Sequence, residues 1–225
     1  LYTGEDGLPV KYRYFENSVF SSYNGVLYNK DKTSVIFCPL GKSGVLELAS
    51  SVKNINSAVF ENTVGITGYD VSETNSAYIA SGGAIIRKSD GVLTLLPSDY
   101  AFDEDGDLLY VGDWVYGIKE GVDKATITQI SIKEGTKGIL SNAFVAFVNL
   151  ESVSMPSSLE TVGSFAFSGC NSLTVLPSFD NVVTIGAYAF RCDLSSSVAT
   201  SDISLPLSVQ SLGDYAFYGR TVTIN

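Results

Sequence analysis

Histidine is absent from the 225 residues. Without an imidazole there is no Ser-His-Asp or Cys-His nucleophile and no histidine-containing zinc site. Cysteine is scarce: Cys38, Cys170 and Cys192 are the full set of 3, too few for a disulfide framework or a four-cysteine metal site. No Asn is followed by the x-Ser/Thr of a glycosylation acceptor, which leans towards a bacterial source over a eukaryotic secretory one. No apolar run approaches the ~18 residues that cross a bilayer, so membrane insertion of this segment is not expected. Basic residues are outnumbered 14 to 24 by acidic ones, for a formal charge of -10. That balance, with no basic stripe, argues against phosphate backbones and anionic lipids, and nucleic acid is not expected as a partner. The opening LYTGEDGLPVKYRY has neither an initiator Met nor the basic-then-apolar layout of a signal peptide. This suits a processed or trimmed segment and gives no ground for a cytoplasmic origin.

Apolar residues are plentiful instead, at 45% against 17% charged, enough for a sizeable core. They also repeat. SLETVGSFAFSGC (158–170) returns as NVVTIGAYAFRC (181–192) and SVQSLGDYAFYG (208–219). Phe144, Phe167 and Phe190 are spaced by 23, and a step lengthened to 27 reaches Phe217, the extra residues falling in the polar stretch DLSSSVATSD. Around each Phe the columns agree: Ile130, Val153 and Leu176; Ile139, Val162, Ile185 and Leu212; Ala143, Ala166, Ala189 and Ala216. Upstream, Leu46, Leu48, Val52, Ile55 and Phe60 follow the same spacing.

Each unit has a physical reading. The pairs Ile130/Ile132 and Val153/Met155 alternate with polar residues, as in a short strand with one buried face. Pro156 and Pro206 close that strand. Val162, Ala166 and Phe167 bring the chain back to the core on the other side of a coil. Gly163, Gly186 and Gly213 sit where the backbone bends tightly or meets its neighbour. One coil cannot bury its own apolar side, so coils stack and the phenylalanines form a ladder. A second repeat, shifted by 58, relates NSVFSSYNGVLYNKDKTSVIFCP (17–39) to NSAYIASGGAIIRKSDGVLTLLP (75–97), each two apolar strands around a polar turn, a hairpin signal. A looser third hairpin is expected between Gly112 and Ile130, whereas residues 98–126 fit no repeat cleanly. The expected organisation is one continuous solenoid: residues 1–126 carry N-terminal repeats with β-hairpin insertions, and residues 127–225 carry regular repeats of about 23 residues. It is mainly β, with short helical or 3-10 turns.

The rungs, the proline after the strand and the insert NGVLYNKDKTSVIFCP together resemble the BspA-type leucine-rich repeats, found in surface proteins of Bacteroides and related anaerobes. The resemblance covers most of residues 15–225 and departs from the pattern at LPSFDN, near Leu176. It implies a right-handed leucine-rich-repeat solenoid at a bacterial cell surface or secreted, used to attach to an extracellular protein or glycan. A structural spacer without its own ligand is the alternative, and a glycan-active enzyme a third.

Few motifs suggest chemistry, and no catalytic residue is assigned and no cofactor expected. PLGKSG ends like a phosphate loop, but Ile36 stands where the first glycine belongs. Asp103, Asp105 and Asp107 alternate as in a calcium loop without its downstream bidentate Glu, so a solvated Asp-Gly turn is favoured and no metal site is expected. Cys170 and Cys192 lie in neighbouring rungs, as either a redox pair or two small buried side chains. The candidate binding residues are the outward strand positions Gln129, Ser131, Ser152, Ser154 and Ser204, with Trp114 in the irregular segment and Tyr188 and Tyr215 in the column before Ala-Phe. That column, with Phe165, is either a contact stripe or packing between rungs, and Trp114 either faces a ligand or plugs the core beneath a hairpin.

Overall fold

The computed structural model describes residues 17–192 and 205–220; Ser204 and the stretch DLSSSVATSD lie outside them. The first repeat folds as an antiparallel meander of β1 (Phe20–Tyr23), β2 (Val26–Asn29) and β3 (Val35–Phe37). Its tight turn uses Asn24 and Gly25 at φ 47° and 73°, the twist that suits a two-residue hairpin loop. β4 (Ser43–Leu48) and β5 (Gly65–Val71) follow as a parallel pair. Between them the Asn56 side chain caps a 3-10 turn at Ser57–Phe60 by accepting from the Ala58 N–H at 3.1 Å.

The second meander is β6 (Tyr78–Ser81), β7 (Ala84–Arg87) and β8 (Leu93–Leu95). The third comprises β9 (Asp103–Asp105), β10 (Leu108–Val111) and β11 (Trp114–Ile118). The third hairpin therefore occupies 103–118, not 112–130. The turns Gly106-Asp107 and Gly112-Asp113 close it: of the acidic stretch that reads as a solvated Asp-Gly turn, Gly106-Asp107 is a turn, while Asp103–Asp105 is an exposed edge strand. In the regular half the strands are β12 (Gln129–Ser131), β13 (Gly138–Ile139), β14 (Ser152–Ser154), β15 (Thr161–Val162), β16 (Thr184–Ile185) and β17 (Ser211–Leu212). β11 pairs in parallel with β13, so one seven-stranded sheet runs in the order β17-β16-β15-β13-β11-β10-β9. This sheet and its core both cross residue 126.

Phe144, Phe167, Phe190 and Phe217 form the expected spine. Successive rings stack at 5.2, 5.2 and 5.5 Å, and the first three are fully buried. Phe60 does not join them; it packs edge-on to Tyr69 at 5.5 Å in a separate N-terminal core. Around the spine neighbouring coils are bonded on up to three sides. One side is the β13-β15-β16-β17 ladder. The second is the β12-β14 pair.

The third is the Ala-Phe turn, where the N–H groups of Phe144, Phe167 and Phe190 donate to the carbonyls of Ala166, Ala189 and Ala216 at 2.8, 2.7 and 2.7 Å. Gly163 marks a close approach: a Cβ there would lie 2.5 Å from Ser141 N and 2.7 Å from Ile139 O. The strand ladder of the second side stops after β14, for no strand forms at 173–178. Pro177 lacks a donor there, and Phe179 turns inward against Phe190 and Phe217. The solenoid is thus mainly β with almost no helix.

Candidate binding groove

Parallel pairing places Gln129 opposite Ser152 and Ser131 opposite Ser154. Their buried neighbours Ile130 and Val153 point to the core, so all four named side chains face outward, as period-2 alternation requires. This polar face ends at a groove of about 390 Å³ between β12 and the β9–β10 turn. Asp105, Gly106, Asp107 and Leu108 form one wall, Gln129, Ile130, Ser131 and Lys133 the other, with Ile118 and Ile127 completing the lining.

Among the described residues the side chains of Asp105, Asp107, Gln129 and Ser131 have no hydrogen-bond partner of their own. Their neighbours are engaged: Glu104 pairs with Lys119 at 2.6 Å, and Lys133 Nζ sits 4.0 Å from the Tyr110 ring centroid. Tyr110 is fully buried beneath it. Burial pushes its hydroxyl pKa up, offset in part by the Lys133 N–H that donates to it at 3.5 Å. Gly106 and Asp107, read in sequence as part of a solvated turn, thus reach the same groove as Gln129 and Ser131. Only the packing of the third hairpin against the first regular coil brings them together, and no local pattern encodes that distance. Two smaller cavities lie elsewhere, of about 250 Å³ beside Phe60 and Tyr69 and about 280 Å³ beside Tyr116 and Asn142.

The remaining candidates fall differently. Trp114 is 3% exposed and packs with Ile86 and Leu140 beneath the second meander, so it is unavailable as a surface contact. Its indole N–H is a buried donor without a protein partner. Phe165, Tyr188 and Tyr215 stack ring on ring at 5.0 and 5.2 Å. Tyr188, in the middle, is stacked on both faces, whereas Phe165 and Tyr215 stack on it through one face each, and Tyr215 is 60% exposed. All three sit at positive φ, 58°, 55° and 56°, where bulky side chains are rarely found.

The three cysteines are free buried thiols. Cys170 donates to the Phe144 carbonyl at 3.2 Å, and burial pushes its pKa up to about 11. This is the reading of cysteine as a small apolar residue. Among the described residues no three His, Cys, Asp or Glu side chains converge on a metal-sized cluster, and Asp103, Asp105 and Asp107 do not form one. No helix among these residues is long and apolar enough to cross a membrane.

Stacked coils with a strand and an inward Phe in each define a leucine-rich-repeat protein. Residues 122–225 match the model of the BspA type leucine rich repeat region in six copies, so this stretch is a region of BspA-type leucine-rich repeats. Among solved structures it is similar to the pneumococcal vaccine antigen PcpA, at 22% identity and a TM-score of 0.39, over 81% of this chain and 39% of that one. It is also similar to a leucine-rich repeat protein from Eubacterium ventriosum, at 15% identity and a TM-score of 0.24, over 85% of this chain and 42% of that one. The chain thus spans about two fifths of the length of each. No curated protein matches its sequence.

Proposed function

We propose that this chain is a non-enzymatic recognition module, displayed on a bacterial surface or secreted, that holds an extracellular protein or glycan at the groove and along the adjoining Gln129/Ser131/Ser152/Ser154 face. The observation that carries this is the groove itself: exposed polar side chains without a protein hydrogen-bond partner ring an apolar lining on a scaffold of stacked coils. The same lining speaks against glycoside hydrolysis. Both of its carboxylates, Asp105 and Asp107, come from one wall, and the facing wall offers an amide, a hydroxyl and an ammonium group. Hydrolysis by a carboxylate pair needs acids on either side of the scissile bond. The chain also lacks the imidazole that acyl transfer uses.

The test is an array of extracellular-matrix proteins and oligosaccharides, probed with the chain and with Asp105→Asn and Ser131→Pro variants. A ligand retained by the chain and weakened by the groove variants is expected. Silence across the array, or binding indifferent to both variants, would count against the reading.

A further inference from the structure

In a parallel pair, alternate residues of a strand turn both backbone groups towards the partner and the others turn both away. β12 shows which are which. Thr128 O accepts from Ser152 N at 3.3 Å and Ile132 N donates to Ser154 O at 3.0 Å. Gln129 and Ser131 therefore direct their N–H and C=O groups away from β14, and among the described residues nothing meets them. The repeat explains the gap. Stepping back 23 residues from Gln129 and Ser131 lands on Gly106 and Leu108, where the preceding coil should supply the next strand of this ladder. That place is taken by the turn of the third hairpin, which belongs to the other sheet and stands off across the groove. The ladder is interrupted, leaving a strand edge beside an open slot.

We propose that this slot accepts an extended peptide segment of a partner protein, which adds as a β-strand to the free edge of β12 and places a Lys or Arg against Asp105 and Asp107. The proposal rests on the groove being the binding site and names its ligand class. Main-chain bonds to Gln129 and Ser131 supply affinity, as in other strand-addition sites, and pockets for alternate side chains supply register. Leu108 and Ile127 offer the apolar contact. Neither carboxylate is in an ion pair among the described residues: Lys119 is paired with Glu104, and Lys133, on the facing wall, lies over the Tyr110 ring. A peptide is favoured over a sugar because the groove exposes no aromatic face: Tyr110 and Trp114 are both buried.

The probe is the synthetic peptide Ac-TKVTVKT-NH2, titrated to millimolar concentration into the nitrogen-15-labelled chain, beside its Glu analogue Ac-TEVTVET-NH2, a backbone N-methylated copy and a set of neutral hexose oligomers. The Lys peptide should shift and protect the Gln129 and Ser131 amides. The Glu and N-methylated peptides should bind at least about tenfold more weakly, as lost charge complementarity and lost strand bonds demand. Asp105→Asn with Asp107→Asn should weaken the Lys peptide about tenfold at low salt.

Ser131→Pro should abolish binding while leaving the fold, because the N–H it removes points into the slot and not into the ladder. If that variant melts early, the paired Asn variants and the N-methylated probe carry the test. No shift at Gln129 and Ser131 with the Lys peptide, or equal binding of the N-methylated copy, overturns strand addition. If a hexose oligomer shifts the same amides while the peptides do not, strand addition falls and the recognition role stands. If nothing binds the groove, both fall.

Discussion

The spine phenylalanines and the column just before them sit two residues apart yet live under opposite rules. Phe167 is fully buried between two parallel rings, so Phe167→Ala removes the ring and leaves a void its rigid neighbours cannot fill. A loss of about 3–5 kcal/mol in urea unfolding is expected. Tyr188 is partly exposed and held at φ 55°, where a bulky L-residue is strained by about 1–2 kcal/mol. The corresponding residue of an earlier coil is Asn142, at φ 65°, a residue type that tolerates this conformation. Tyr188→Asn should therefore cost little, as lost stacking and relieved strain offset each other, whereas Tyr188→Val should be destabilising by at least about 1 kcal/mol more. Equal melting temperatures for the two would remove backbone strain from the account.

Titration adds a residue-scale prediction. Burial raises the Cys170 thiol to about 11 and the Tyr28 hydroxyl to about 12. Both groups keep their protons in the fold and lose them earlier in the unfolded chain. The stability they contribute is fully present below the unfolded values of 9.0 and 10.0 and is lost as pH rises through the folded ones. Unfolding free energy should fall progressively between pH 9 and pH 12, and Cys170→Ala should flatten the first part of that slope. For the same reason Cys170 should resist alkylation at pH 8 until urea unfolds the coil.

At the scale of elements, Arg220 is a long-range pin. Its guanidinium donates to the carbonyls of Phe190 at 2.7 Å, Leu173 at 2.6 Å and Cys170 at 3.4 Å, tying the last described coil to the two before it. Arg220→Ala strands buried carbonyls and should cost about 2 kcal/mol. Hydrogen exchange should locate the damage, with amides of 205–220 losing protection before those of the β13-β15 ladder.

The hairpins also show how much of an element is visible locally. The polar turns NKDKT and RKSDG between apolar runs make the β2-β3 and β7-β8 hairpins legible in the sequence, whereas the additional strands β1 and β6, joined through Asn24-Gly25 and Gly82-Gly83, go beyond that two-strand reading. The third meander is not legible, because its edge strand is Asp103-Glu104-Asp105, a composition no propensity would assign to a strand. It is one because β10 offers it a partner. Likewise Thr161–Val162 and its counterparts are too short to read as strands and exist only because each coil lies on the next.

At the scale of the whole molecule, nearest-neighbour stacking makes length adjustable and register rigid. Deleting 159–181 joins Ser158 to Val182 with every column preserved. That variant should fold cooperatively into a shorter β-rich solenoid, less stable by one ring of the spine and by Phe179. Deleting only 159–170 places Asn171, Thr174 and Ser178 in the apolar columns of Leu159, Val162 and Ala166 and should leave no cooperative urea transition. Far-UV circular dichroism and size exclusion distinguish the two.

The period of the apolar columns determined, by itself, that the chain coils, that Phe144, Phe167, Phe190 and Phe217 share an axis, and that Gln129, Ser131, Ser152 and Ser154 face outward. These follow from spacing along the chain, because a buried column must recur once per turn. Tertiary structure alone decided where the ladder breaks, that Trp114 is sealed inside, and that Asp105 and Asp107 come to stand across from β12. Those outcomes depend on how a hairpin packs against the coil that follows it, and no repeat in the chain records the width of the gap between them.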